Sequence, residues 1–544
     1  MKKNGTDWAW ALVLVLAVAG LYGQFLSSAL IFDDLQFFLL DRQGAQPVDT
    51  ATFAWLGLRT LPYATLAWTK AAFGLELVYF RLGNLALHAV TVVTLYFFLQ
   101  RVLARVYVAK SADSLTAQQA AFLGALVFAL HPVATYAAGY LIQRTILMAT
   151  LFGLLALLCY VQGSLHGRRW QLWLSFPLFY LAAYSKEHAI TLILVPPALA
   201  MLLHEDWRAS LRGQWALLTA WLCVVALVVF AKRGILGTVY EIDAPLMLST
   251  NDGDYVYARS VITQCGLFFK YVWLWLLPNI TQMSIDMREP FVRSVASLQL
   301  AWVALFVAWG ALGVWLLRQR GNRGLLGFAM LFPWLMFMTE LASVRIQEPF
   351  VLYRSYLWMG AALLALPVAL NGMAKKQVAL VALVILATST LLSMERLITL
   401  SDPTLLWADA KDRLHGRTDL QGADRIYYNL SRHQLDNGML GESEENAKTA
   451  VAIAPEFAQA HALLGAVYKA RGKWELSIEQ YTLGRNIDIH SGKPPQSVYL
   501  MGRAKAYEGN GQLELAVADY LEACRIDIYV CDQLRKSATV KKTP

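Results

Sequence analysis

The sequence predicts an all-α protein in two parts, a polytopic membrane domain followed by a soluble helical-repeat domain. Three observations carry that reading. Apolar runs of spanning length recur between residues 8 and 392, separated by short basic loops, and a helix needs about 20 apolar residues to cross a bilayer core. The composition is 57% hydrophobic and only 16% charged, too apolar for a soluble chain of this length. From Asp402 onward the pattern turns polar and periodic.

Lys and Arg outnumber Asp and Glu by 47 to 38, a net charge of +9. A basic excess can mark nucleic-acid binding, but here it is spread over the loops between apolar runs, as in cytoplasmic loops of membrane proteins. Nucleic acid is therefore not an expected partner. Five cysteines without a CxxC pair argue against a zinc ribbon or a dithiol redox motif. Met1-Lys2-Lys3 before a long apolar run has the look of a signal peptide. No small-residue cleavage site stands out and the run reaches Leu30, so it reads as an uncleaved first span starting in the cytoplasm.

In chain order, the first span covers 8–30. Residues 31–78 form an outer loop with Trp55, Tyr63 and Trp68, patterned for interfacial helices. The second span, 78–99, ends on Arg101, Arg105 and Lys110; the third starts at 120 and arrives outside at His131-Pro132. The fourth, 142–161, ends inside at His166-Gly167-Arg168-Arg169, and the fifth, 172–184, arrives outside at Ser185-Lys186-Glu187-His188. The sixth returns to Arg208 and Arg212, and the seventh, 215–230, opens into an outer loop at 232–297. Within that loop 261–277 is apolar enough to span. A crossing there would put Arg318, Arg320 and Arg323 outside, so it reads as interfacial or re-entrant. Spans at 298–317, 325–341, 353–370 and 378–392 follow, with Lys375 and Lys376 inside. The count is about eleven, and an odd number puts everything after Met394 outside the cytoplasm.

The expected parts are a membrane domain over 1–396 and a repeat domain over 397–544. Leu464-Gly465, Tyr468, Gly472 and Tyr481 match the tetratricopeptide helix–turn–helix pattern. Tyr507, Gly511, Ala516, Tyr520 and Ala523 repeat it 39 residues on, after an insertion around 492–497. Tyr427, Leu430, Gly438 and Ala450 repeat it 34 residues earlier, closing on Pro455. About three such units stack into an α-solenoid. Cys524 and Cys531 close the last copy. Unbroken helix would hold them about 10 Å apart along its axis, beyond the Cα–Cα limit of about 7 Å for a disulfide. A bond there requires a turn at Ile526-Asp527-Ile528-Tyr529-Val530; the alternative is two small residues packing separately.

With this topology Asp33, Asp34, Arg59, His131, Gln143, Arg144, Lys186, Glu187, His188, Asp286, Glu348 and Arg354 share the outer side. Each has a plain explanation. Arg144 and Arg354 snorkel at helix ends, Lys186 and Glu187 pair locally, and His131 ties off a helix end. Yet outer segments should be poor in Lys and Arg, and these cations face an acidic pair at the membrane surface, where charge is functional by default. Glycosyl transfer from a polyprenyl-phosphate donor needs such parts. A carboxylate accepts the proton of the attacking hydroxyl, and Arg or Lys neutralises the departing phosphate.

Phe32-Asp33-Asp34, Asn84-Leu85-Ala86-Leu87-His88-Ala89, His131-Pro132-Val133 with Gln143-Arg144, and Ser185-Lys186-Glu187 occur in that order. Leu277-Pro278 with Asp286, Glu348 through Tyr353-Arg354-Ser355-Tyr356, and Leu405-Leu406-Trp407 continue the series. Over nearly the whole chain this resembles the transmembrane-and-tetratricopeptide O-mannosyltransferases and their bacterial relatives. The resemblance implies a GT-C fold and an inverting enzyme that takes a lipid-phosphate sugar. It implies Asp33 as base with Asp34 its partner, and Arg144, Lys186 and Arg354 near the donor phosphate. Arg59, His131, Gln143, Glu187, Asp286, Glu348 and Tyr356 are the supporting polar residues. Two departures fall where donor and acceptor would be read. Arg59 is followed by Thr60 and Leu61 instead of Pro, and Ser355-Tyr356-Leu357-Trp358 replaces Leu-Tyr-Leu-Pro. Mannose is therefore not assumed.

The expected acceptor is a Ser or Thr hydroxyl of a protein docking on the repeats, on the periplasmic or equivalent face of an inner membrane. Whether a divalent cation assists is left open. Two rivals remain: an oligosaccharyltransferase or polymerase using a polyprenyl-diphosphate glycan, and a non-catalytic membrane-anchored repeat scaffold.

Overall fold

The computed structural model describes residues 2–39, 46–111, 113–232, 255–292, 294–295, 298–346, 348–494, 496–527 and 531. Two compact units divide the chain, Met1–Asp402 and Pro403–Pro544. Among the described residues the regular structure is helical, save one isolated antiparallel bridge between Met287 and Phe350.

Among the described residues of the first unit six helices are long and apolar enough to cross a membrane: Thr6–Phe25, Leu77–Val106, Leu141–His166, Leu300–Arg318, Gly321–Ala342 and Lys375–Ser401. Two bent pairs raise the number to eight, Ala117–Ala129 with Pro132–Ala138 at 64° and Trp207–Gly213 with Trp215–Ala231 at 69°. The first bend has a local cause. Pro132 has no N–H to continue the preceding helix and starts a new one at its first turn. Leu12, Leu16, Val307, Trp315, Leu383 and Leu391 stand exposed on these helices. Such long apolar flanks turned outward mark a membrane-embedded unit.

Three expected spans take other forms. Residues 172–184 lie in the 17-residue helix Arg169–Ser185, with Pro177 inside it. The next segment starts as 3-10 helix over Glu187–Leu194 and continues as α-helix over Val195–Leu203. Residues 353–370 do not make one helix. Leu352–Ser355 and Gly360–Leu364 are 3-10 turns alternating with the short α-helices Tyr356–Met359 and Ala365–Ala369. Close packing accompanies that break: a Cβ on Gly360 would stand 3.3 Å from the Leu95 methyls. The stretch expected to be interfacial is a continuous 21-residue helix, Val256–Leu276, that buries Ser260, Thr263 and Gln264. Residues 233–254 of the second outer loop lie outside the described residues.

The first outer loop carries the short helix Asp33–Phe38 and the helix Thr60–Phe73. Thr60–Phe73 packs on Arg144–His166 and Arg169–Ser185, which brings the loop over the ends of two later helices.

The second unit starts with the helix Pro403–Arg413 and continues as three helix hairpins: Ala423–Asp436 with Leu440–Ile453, Ala458–Ala470 with Trp474–His490, and Ser497–Gly509 with Leu513–Ile526. Gly438, Gly472 and Gly511 turn the chain between the members at φ +74°, +70° and +76°, a region open to glycine at no steric cost. The first helices of successive hairpins touch one another and form one layer. Cys524 and Cys531 are disulfide-bonded with Cα atoms 4.9 Å apart. The helix Leu513–Ile526 ends before Cys531, and 4.9 Å is shorter than seven residues of unbroken helix would span.

Candidate active site

The site starts at a strained corner. Phe32 has φ +47°, a conformation bulky side chains rarely adopt, and it turns the chain into the helix Asp33–Phe38. The two aspartates then part, because adjacent helical residues point about 100° apart. Asp34 is fully buried. Its Oδ1 accepts the Ile142 N–H at 2.9 Å and its Oδ2 the Ile31 N–H at 3.4 Å. Burial pushes its carboxyl up to about 7, against the lowering effect of the Ile142 N–H and the Arg81 charge. Asp33 is half-exposed, and its N–H donates to Tyr140 Oη at 2.9 Å. Asp34 thus pins the first loop to the Tyr140–Ile142 corner, and Asp33 stands at the loop's open side.

Arg81 and Arg144 are both held by hydrogen bonds within the protein. Arg81 donates to the carbonyls of Ser28 at 2.9 Å and Gly139 at 2.8 Å, and to that of Ala29. Arg144, expected near the donor phosphate, instead donates Nε to Asn84 Oδ1 at 2.8 Å and Nη2 to the Phe80 carbonyl at 2.7 Å. Its Nη1 faces the Thr65 and Thr69 hydroxyls at 3.4 and 3.5 Å. A Cβ on Gly83 would lie 2.7 Å from Arg144 Nη2, so the glycine makes room for the fork. Arg144 braces the helix Leu77–Val106 against the first loop.

Lys186 differs. It follows the helix Arg169–Ser185, is 5% exposed, and holds its ammonium 5.6 Å over the Tyr353 ring. It makes no hydrogen bond or ion pair among the described residues. Burial holds it well below the ordinary lysine range; Arg59, Arg354 and Arg345 add to that, and Glu187 opposes it. Glu187 is not its partner as the adjacent numbering suggests. The Arg59 guanidinium grips Glu187 with two contacts, Nε to Oε2 at 2.9 Å and Nη2 to Oε1, and Lys232 stands 3.3 Å away. Arg59 itself has φ +62°, and its N–H donates to the Tyr184 carbonyl at 2.7 Å.

Behind Lys186 lies a buried charge cluster centred on Glu340. Arg345 Nε and Arg354 Nη1 meet Glu340 Oε2 at 2.8 and 3.0 Å, and His188 Nε2 meets Oε1 at 3.2 Å. Arg354 is therefore held by a carboxylate and does not snorkel. An aromatic path links the halves: the rings of Tyr140 and Tyr353 have centroids 6.3 Å apart, so Asp33, Tyr140, Tyr353 and Lys186 follow one another.

The remaining expected residues are placed as follows. His131 accepts the Val133 N–H at 3.2 Å and stacks on Trp275 at 4.3 Å, capping the helix Pro132–Ala138. Gln143 is buried, its Oε1 without a hydrogen-bond partner among the described residues. Asp286 pairs with Arg288 at 2.6 Å. The Met287–Phe350 bridge lays the Asp286 segment beside the half-buried Glu348. Tyr356 Oη meets His88 Nδ1 at 2.7 Å. Among the described residues no group of three or more His, Cys, Asp or Glu side chains is placed to hold a metal ion.

Glu340, Arg345, Arg81 and Tyr140 were not singled out by sequence. Glu340 had a signal, an ionisable residue inside a predicted span; Tyr140 had none. No known protein family's profile matches this chain, and no curated protein matches it.

Proposed function

We propose that the chain is an integral-membrane glycosyltransferase of GT-C type. It moves a sugar, with inversion, from a polyprenyl-phosphate donor to a Ser or Thr hydroxyl of a protein outside the cytoplasm. One observation carries the proposal: Lys186 is a buried ammonium with no carboxylate partner among the described residues, and the Tyr353 and Tyr140 rings lead from it to an aspartate at the start of the first loop. Burying an unpaired charge is costly, and a phosphate-bearing ligand supplies the missing partner.

In this reading Asp33 takes the proton of the acceptor hydroxyl as its oxygen attacks the anomeric carbon. The bond from that carbon to the phosphate oxygen breaks, and its electron pair leaves with the polyprenyl phosphate. Lys186 and Arg354 offset the charge that grows there, with Glu340 orienting Arg354. Asp34 positions the loop that carries Asp33.

Three shorter elements extend the eight crossings to the expected eleven. Helix Arg169–Ser185, at about 1.5 Å per residue, approaches the roughly 30 Å core. Glu187–Leu203 gains length from its 3-10 half, which rises about 2.0 Å per residue, and the broken segment from Leu352 to Ala369 is the third. The hairpins of the second unit are read as tetratricopeptide-type repeats, and the Cys524–Cys531 bond suits an oxidising compartment on the outer side. The test is intact-mass analysis of an acceptor protein co-expressed with wild type or with Asp33→Asn. One added sugar that disappears in the variant supports the proposal. A whole repeat unit points to oligosaccharide transfer, and full function of Asp33→Asn to a scaffold.

A further inference from the structure

The second unit repeats one contact between its hairpins. The second helix of each packs on the first helix of the next, Leu440–Ile453 on Ala458–Ala470 and Trp474–His490 on Ser497–Gly509. At the latter contact two rings press on glycines. A Cβ on Gly509 would stand 2.6 Å from the Trp474 ring, and one on Gly502 would stand 2.1 Å from that of Tyr481. The helix Leu513–Ile526 is the second helix of the last described hairpin, and no first helix follows it among the described residues.

The face left over is apolar. Leu513 and Val517 stand 39 residues after Trp474 and Ile478, the spacing of the repeat, so they occupy the positions that meet the next hairpin. Leu513, Val517 and Leu521, at i, i+4 and i+8, are 64, 56 and 57% exposed and form one stripe along the helix. Ala516, Asp519 and Ala523 occupy its buried side. Glu514 and Arg525 flank the stripe. Both are exposed and neither forms an ion pair among the described residues. Three helical turns separate them, and they point within about 20° of one direction. The other acids of the helix are engaged, Asp519 by Arg503 and Glu522 by Arg485, each at 2.7 Å.

We propose that this helix pairs, antiparallel, with the same helix of a second copy of the chain. A twofold pair sets one surface patch against its own copy. Reversing one helix against the other brings Glu514 of each copy to Arg525 of the other, and Val517 of each to Leu521 of the other. A parallel arrangement would set like charges together instead. The stripe is small beside the roughly 1,200 Å² of a stable interface, so pairing draws on the confinement of both copies to one membrane, which raises their effective concentration. None of this depends on the transfer chemistry, which rests on the first unit.

The test uses the full chain with one fluorophore on an N-terminal tag, reconstituted in phospholipid vesicles at a series of protein densities. Single-molecule bleaching steps count the copies that stay together. Wild type is expected to pair, and Leu521→Glu to weaken pairing about ten-fold or more. Glu514→Arg and Arg525→Glu each turn two attractive contacts repulsive and should weaken it about ten-fold. The double variant Glu514→Arg, Arg525→Glu should return to within about two-fold of wild type, a recovery that misfolding of a single variant cannot imitate. Undiminished pairing in Leu521→Glu or in either single charge variant overturns the proposal, as does a double variant as weak as the singles. So does a wild type that stays single. If it does so while a chain cut after Cys531 pairs, residues 532–544 cover the stripe.

Discussion

Replacing each aspartate of the first loop by asparagine separates a chemical role from a structural one. At pH 5 Asp34 is protonated, being below the value of about 7 to which burial pushes it, and both of its oxygens can still accept a hydrogen bond. Both its oxygens face backbone donors, at 2.9 and 3.4 Å. Asparagine keeps one oxygen and turns an NH2 toward the other N–H, leaving a buried donor unsatisfied at a cost of about 1–3 kcal/mol. Arg81 keeps its three carbonyl acceptors, so no second penalty of that size is added. Asp33→Asn is different: the bond to Tyr140 comes from its backbone N–H and survives, and the side chain is half-exposed, so the loss of stability should be smaller than for Asp34→Asn. Its transfer rate should fall about 10²–10⁴-fold if it is the base. The assay is thermal unfolding in one detergent beside acceptor intact mass. Asp34→Asn unfolding at the wild-type midpoint, or Asp33→Asn unfolding well below it, would refute the division of labour. A pH series adds a check. Because the folded-state value is raised, Asp34's contribution is full below its unfolded value of 3.8 and is lost as pH rises through about 7. The stability gap between wild type and Asp34→Asn should therefore narrow across that window.

Other outcomes follow from the same geometry. Lys186→Met keeps the side-chain volume and removes the buried charge, so the protein should be no less stable while transfer falls about 10²–10³-fold; undiminished turnover would remove the phosphate role. Glu340→Gln leaves Arg345, Arg354 and His188 around a neutral amide, and should destabilise by about 3–5 kcal/mol; a wild-type unfolding midpoint would contradict the cluster. Thiol labelling of the denatured, unreduced protein should modify Cys159, Cys223 and Cys265 and spare Cys524 and Cys531; labelling of all five would deny the bond.

The acidic pair was legible because two carboxylates directly after an apolar run have few structural excuses. Which of them is buried was not, since that depends on the Phe32 turn and on an amide at Ile142, 108 residues from Asp34. Arg144 shows the same limit in reverse. Its charge at a helix end was readable, but its commitment to Asn84 and the Phe80 carbonyl comes from helix packing. Apolar runs locate helices well and their internal geometry poorly. The residues from Leu352 to Ala369 are as apolar as a simple span, yet they alternate between two helix types because close neighbours surround them. The turn glycines Gly438, Gly472 and Gly511 lay at the repeat positions read from sequence, since a positive φ leaves few other choices.

The grip of Arg59 on Glu187 bears on when the site attracts an anion at all. While the first loop is seated, Arg59 satisfies Glu187 and the neighbouring ammonium keeps its full pull on a ligand. Were the loop to lift, the carboxylate would keep only Lys232, at 3.3 Å, and turn more of its field on Lys186, weakening the attraction. In the proposed function, loop seating and donor affinity are two readings of one equilibrium, so a bound donor would steady the loop as much as the loop retains the donor. Donor binding to an Arg59→Met chain measures that coupling: weaker binding with an intact fold is the expected sign.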